Sequence, residues 1–214
     1  MNTKTKKITT LAALCAIAFV MTAVIRIPVV LFLKYDPKDI IIVLGGLIWG
    51  PLTSCIVSVV VSLIEMITIS DTGIWGCIMN ILSTCSFACT AAAIYKHKKT
   101  LLGAVIGLIA GCLVQTAVMM LWNYLIVPIY MGTPRDAVAK LLLPAFLPFN
   151  LLKGGLNAAF TFLLYKPVTT ALRKTGIVSA AAEGNGKKPV GLWLAAGVIV
   201  ITCILLILSL NGII

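Results

Sequence analysis

The sequence predicts an all-α polytopic membrane protein, a six-helix bundle followed by one further C-terminal transmembrane helix. Three observations carry the prediction. Of the 214 residues, 61% are hydrophobic and only 11% charged, with a mean hydropathy of +1.12. A soluble domain does not have this composition, whereas a chain threaded repeatedly through lipid does. The apolar residues are gathered into stretches at 8–33, 40–49, 51–69, 74–95, 101–130, 141–172 and 190–210. Most of these reach the ~20 residues that a helix needs to cross the hydrocarbon. Third, the basic residues collect in the short segments between the stretches, on alternate sides, as the positive-inside rule requires.

The first stretch follows a basic start, Lys4, Lys6 and Lys7. It is long, and no small-x-small cleavage site ends it, so it reads as a retained span and not a secretory signal. Residues 40–69 pose a choice between one long span and two spans joined at Gly50-Pro51. Charge decides it. With the N-terminus in the cytoplasm, one crossing would put the Lys96-His97-Lys98-Lys99 cluster outside, and two crossings put it inside. The expected corner is therefore Gly50-Pro51, after a short second helix. On this topology Lys166, Arg173, Lys174, Lys187 and Lys188 also fall inside, while Asp36, Asp39, Asp71 and Asp136 fall outside.

The domain organisation expected is a membrane domain over 1–175, a small, polar cytoplasmic linker over 176–189, and an accessory transmembrane helix over 190–210. The formal net charge of +11 is spread over loops and forms no single patch, which excludes a nucleic-acid reading. The seven cysteines all lie in apolar stretches without a C-x-x-C pair, and the single histidine is in a basic loop. They read as small apolar fillers, and no metal site is expected.

Lys153 lies mid-span in P-A-F-L-P-F-N-L-L-K-G-G-L-N. A charge there costs roughly 2.5–3.5 kcal/mol on insertion scales, so it marks a site. Asn150 and Asn157, at −3 and +4, share its helix face. Depth counting at about 1.5 Å per residue places Glu65, Asn80 and Asn123 at a similar outer level. The expectation is a cavity open to the outside and closed below by apolar inner halves. Each residue also has a structural reading: Asn80 or Asn123 as an interhelical hydrogen bond, Glu65 reaching headgroups, Lys153 paired with Glu65. The loop L-K-Y-D-P-K-D at 33–39 reads equally as a lid over the cavity or as an ordinary solvated loop. Two small-residue ridges mark close helix contacts, Ala12/Ala16 and Gly103/Gly107/Gly111. One is expected to serve internal packing and the other a partner protein.

No P-loop, H-E-x-x-H or G-x-S-x-G motif is present, and the spans offer no paired acids and no histidine set, only Glu65 with Lys153. An enzyme is not expected, nor an ATPase.

Five segments together are similar to a known family. They are F-L-K-Y-D-P-K-D (32–39), G-G-L-I-W-G-P (45–51), E-M-I-T-I-S-D-T-G (65–73), L-W-N-Y (121–124) and L-P-F-N-L-L-K-G-G-L-N (147–157). The chain resembles the riboflavin-specific substrate-binding (S) component of energy-coupling factor (ECF) transporters. The resemblance implies six helices with cytoplasmic termini, in the plasma membrane of a bacterium of the Gram-positive type. It implies riboflavin as a transported ligand, with no cofactor. It also implies a transmembrane T subunit and two ABC-type ATPases as partners, with Ala12 and Ala16 at the T-subunit contact. Asn150 and Lys153 match positions that hold the polar edge of the flavin ring, and Asn123 looks like a third. Asn80 and the Lys34–Asp39 loop, with Lys34, Asp36 and Asp39, are candidates for the ribityl hydroxyls. Tyr35 and Trp122 are candidates to pack on the ring, and Asn157, on the Lys153 face, is a further candidate substrate-binding residue. The 190–210 helix departs from the six-helix pattern.

The chemistry of the residues agrees: an asparagine amide offers a donor and an acceptor to a uracil-like edge, and a lysine donates to a ring carbonyl. The alternatives are an S component for biotin, pantothenate or thiamine, since Lys153 would suit an anion, and a membrane assembly protein with Lys153 in a buried ion pair.

Overall fold

The computed structural model describes residues 3–31, 33–174, 196–198 and 200–201. Seven helices and one hairpin make up residues 3–174: α1 (Thr3–Val24), β1 (Ile27–Val30), β2 (Leu33–Tyr35), α2 (Lys38–Trp49), α3 (Pro51–Thr68), α4 (Gly73–His97), α5 (Leu101–Met131), α6 (Arg135–Leu141) and α7 (Leu147–Lys174). A π-helical turn at Leu142–Phe146 joins α6 to α7. Together α6, the turn and α7 form one long rod, so the bundle has the six membrane helices expected. Four are long and apolar enough to cross a bilayer, with Ile8–Val24 a shorter apolar helix. The expected linker at 176–189 and most of the 190–210 stretch lie outside the described residues; of the latter, Ala196 is buried against the core.

The first apolar stretch does not stay helical to residue 33. The helix stops at Val24, and the chain continues as an antiparallel hairpin with Ile27 opposite Tyr35 and Pro28 opposite Lys34. Ile25, Ile27, Val29 and Val30 are β-branched and Pro28 lacks a donor, a composition that favours an edge strand over helix.

The corner at Gly50 forms as the charges demanded. Gly50 adopts φ 100°, open to glycine at little cost, and Pro51 begins α3 where its missing N–H is harmless. The glycine ridge of α5 is an internal contact. A Cβ on Gly107 would lie 2.7 Å from the Ala91 carbonyl oxygen, and one on Gly111 2.6 Å from that of Phe87. The α4 and α5 backbones approach closely because these side chains are absent. Ala12 and Ala16 of α1, by contrast, are exposed.

Two apolar clusters fill the bundle. One joins Ile42, Val43, Val57, Val61, Phe87, Ala91 and Leu108. The other lies under the hairpin and joins Val29, Leu33, Tyr35, Val127, Phe146, Phe149 and Leu156. Residues Asp36–Asp39 run from one to the other, and the polar residues gather there.

The bundle away from the hairpin is not purely apolar as expected. Ser54, Ser58 and Ser62 form a buried stripe on α3, and Ser83, Gln115 and Thr161 are buried on α4, α5 and α7. Gln115 donates to Ser83 Oγ at 3.2 Å, and Ser54 to the Ile42 carbonyl at 3.0 Å. Such bonds between helices replace the water that lipid cannot supply.

Candidate functional site

The segment after the hairpin is a buried plug and not a solvated loop. Tyr35, Asp36, Lys38 and Asp39 are all buried, Lys38 and Asp39 completely. Their charges are tolerated because each meets an opposite charge from another helix. Lys38 Nζ bridges Glu65 Oε2 of α3 and, at 3.6 Å, Asp36 Oδ2. Glu65 is thus buried in an ion pair and does not reach toward headgroups. Asn80 Nδ2 of α4 donates to the same Glu65 oxygen at 3.2 Å.

Lys153 of α7 pairs with Asp36 and Asp39, 3.4 Å from each, and not with Glu65. Asp39 is held from three sides, since Thr84 Oγ1 donates to Oδ1 at 2.6 Å and Asn157 Nδ2 to Oδ2 at 3.1 Å. Tyr35 Oη in turn donates to Asn157 Oδ1 at 3.1 Å. Asn157 is therefore a relay between the hairpin tyrosine and the Asp39 carboxylate, engaged at both ends of its amide.

The cluster balances electrically. Asp36, Asp39 and Glu65 face Lys38 and Lys153, and Arg26, bonded to the Ile69 carbonyl, adds a more distant positive charge that acts on Asp36. Burial opposes ionisation of Asp36, but the Lys153 and Lys38 ammonium groups outweigh it and hold its carboxyl below the usual carboxylate range.

The hairpin is tied down at its edge. Arg26 Nη1 donates to the Ile69 carbonyl oxygen at 2.6 Å, and Lys34 pairs with Asp71 in the α3–α4 turn. That hydrogen bond holds the exposed Asp71 carboxyl below its usual range. Lys34 thus points away from the cluster.

Three predicted residues stand apart from the ion network. Asn150 donates Nδ2–H to the Phe146 carbonyl at 2.8 Å, the last residue of the π turn. That turn follows from Pro148, which cannot bond back to the Pro144 carbonyl, so the helix widens. Asn123 is completely buried, and neither its Oδ1 nor its Nδ2 has a hydrogen-bond partner among the described residues. A buried amide free at both ends is costly unless something else engages it. Trp122 lines a small cleft between the start of α4 and the end of α5, with Thr72, Trp75, Met79 and Tyr130.

Thr84 and Arg26 escaped the sequence reading and Lys38 entered it only as part of the 33–39 loop, whereas Glu65 stands level with Asn80, as the depth count expects, in an ion pair and not at the headgroups. The signal was present for Lys38, in alternation with Asp36 and Asp39 within four residues of a buried apolar run.

Comparison with known proteins agrees with this architecture. The family model for the ECF transporter substrate-specific component matches residues 6–165. The chain is 29% identical over 178 residues to the riboflavin transporter RibU of Staphylococcus aureus (strain TCH60), covering 79% of this chain and 93% of the relative. It is 28% identical over 176 residues to the riboflavin transporter FmnP of Bacillus subtilis (strain 168), covering 76% and 92%. A solved S component of a bacterial ECF transporter matches with a TM-score of 0.69 and 31% identity, over 79% of this chain and 99% of that one. On the family model and these relatives together, the chain belongs to the substrate-specific components of ECF transporters.

Proposed function

We propose that the protein captures riboflavin at the hairpin end of the bundle, as the substrate-binding subunit of an ATP-driven vitamin uptake system. The relatives named as riboflavin transporters support the ligand. The observation on this chain that carries the reading is Asn123, whose buried amide has a donor and an acceptor without partners among the described residues. The uracil-like edge of a flavin ring asks for that pair.

In this reading Asn123, Asn150 and Lys153 hold the ring's polar edge. Lys153 has three ammonium protons and two carboxylate partners, which leaves one to donate to a ring carbonyl. Asp36, Asp39 and Asn157 aim Lys153, Asn80 works through Glu65, and Tyr35 and Trp122 lie toward the ring faces. Lys34 acts on entry, through its tie to Asp71. Balanced charge suits a neutral ligand and disfavours an anion such as biotin or pantothenate, whose carboxylate would meet three acids already paired.

The subunit has no engine of its own and performs no covalent chemistry. Its partners are a transmembrane T subunit, met through Ala12 and Ala16, and two ABC-type ATPases. The N-terminus is cytoplasmic, and the hairpin faces outward across the plasma membrane.

Titration of the purified protein with riboflavin tests the reading. Quenching of flavin fluorescence, saturating at one ligand per chain, is expected. Absence of quenching, or equal competition by biotin or pantothenate, would overturn it.

A further inference from the structure

A second group of reactive side chains adjoins the ion cluster at Thr84 and extends toward the Gly50–Pro51 end of the bundle. Cys55 is near the start of α3, and Cys85 and Cys89 are on successive turns of α4. The three thiols are near enough to act on one another electrostatically. Cys89 Sγ donates to the Pro51 carbonyl oxygen at 3.5 Å, one turn before Cys55, which sets the α4 thiol against the start of α3. All three are free and only partly buried.

We propose that this triad is a thiol-oxidation site, in which Cys55 forms a reversible disulfide with either Cys85 or Cys89 and staples α3 to α4. A disulfide needs Cβ atoms about 3.5–4.5 Å apart, whereas residues four apart on one helix hold theirs at about 5–6 Å. A bond between Cys85 and Cys89 would therefore strain α4. Cys55 approaches from another helix and carries no such restriction. Because its two partners stand on successive turns of the facing helix, loss of either leaves the other in place.

The chemistry balances simply. Two S–H bonds are lost and one S–S bond forms, releasing two protons and two electrons. A diffusible azo oxidant takes both and becomes a hydrazine, or a low-molecular-weight disulfide takes them and becomes two thiols. The staple joins helices that also carry Glu65, Asn80 and Thr84, and it leaves those side chains chemically untouched.

The test uses the full-length protein in detergent micelles, treated with the azo oxidant diamide. Intact mass should fall by two hydrogens and maleimide labelling after denaturation by two thiols, both reversed by reductant. Cys85→Ser and Cys89→Ser should each still lose two thiols, while Cys55→Ser and the Cys85→Ser/Cys89→Ser double variant should lose none. The oxidised wild type should melt at a higher temperature, since the closed 55–85 loop restricts the unfolded chain. Peptide mapping of the oxidised wild type decides the matter without any variant: Cys55 linked to Cys85 or Cys89 is expected. Unchanged thiol content, linkage of any other pair, covalent dimers, or full oxidation of Cys55→Ser would each overturn the proposal.

Discussion

Lys153 Nζ lies 3.4 Å from Asp39 Oδ2, which joins the second turn of α7 to the first turn of α2 inside the bundle. With Asp36 at the same distance, the lysine that looked isolated in the sequence is the positive centre of a buried ionic lattice. Removing it does two things: it deletes a ligand donor and leaves the buried Asp39 without an ion-pair partner, while Asp36 keeps only Lys38 at 3.6 Å. Lys153→Ala is therefore expected to lose flavin affinity and to be destabilised, by about 3–5 kcal/mol as for other broken buried pairs. Adding Asp39→Asn should recover much of the thermal stability but not the affinity. Recovery of both in a paired melting and fluorescence titration would make Lys153 a structural residue only.

The Lys38–Glu65 pair separates fold from binding. Lys38→Met leaves Glu65 as a lone buried acid, held only by the Asn80 amide. The single variant is expected to melt well below wild type, by the same order of about 3–5 kcal/mol. The double variant Lys38→Met/Glu65→Gln should be close to wild type, because both charges leave together. A cycle that is additive instead of compensating would mean the two groups do not share a buried environment.

Asn123 predicts the opposite pattern. Its amide contributes no internal hydrogen bond among the described residues, so Asn123→Ala should leave the melting temperature unchanged or raise it. Two lost ligand hydrogen bonds at about 0.5–1.5 kcal/mol each should weaken riboflavin binding, by roughly 5- to 150-fold. Loss of stability with intact affinity would assign Asn123 to helix packing.

Acid should loosen the site in a definite direction. The folded-state carboxyl of Asp36 titrates below its unfolded value. Its contribution to stability is therefore fully present above the ordinary carboxylate range and is lost as pH falls through the lowered folded value. Asp71 behaves alike at the surface, where salt should also weaken its pairing with Lys34. Melting curves below pH 4 should thus show a steeper loss for wild type than for Asp36→Asn. Identical pH profiles would remove Asp36 from the titrating set.

Much of this was legible in the sequence where local rules decide. Gly50-Pro51 read as a corner because the Lys96–Lys99 cluster has to fall inside, and glycine's free φ with proline's missing N–H lets the chain turn there. Lys153 and its asparagines shared a face because helix geometry fixes side chains three and four apart. The 33–39 segment defeated the reading because its partners are remote: Lys38 meets Glu65 twenty-seven positions on, and Tyr35 meets Asn157 one hundred and twenty-two positions on. A string of charges in sequence looks solvated until the opposing charges are placed in space. The buried serines were visible at four-residue spacing, Ser54, Ser58 and Ser62, yet small hydroxyls weigh little in a hydropathy profile.

The two small-residue ridges should respond differently to bulk. On α5, leucine at Gly107 would drive its Cβ into the Ala91 carbonyl, so Gly107→Leu should abolish folding, measured as loss of a monodisperse species in detergent. On α1, Ala12 and Ala16 are exposed, so leucine at both leaves the isolated subunit's core intact. Ala12→Leu/Ala16→Leu should bind riboflavin as wild type does and melt at the same temperature. If the A-x-x-x-A strip is the T-subunit contact, the same variant should fail to co-purify with the T subunit and should not support riboflavin uptake, because the added methyl groups hold the helices apart. Uptake at wild-type rate would move the contact elsewhere on the bundle. Loss of riboflavin binding by the isolated variant would show instead that α1 packs within the subunit along this strip.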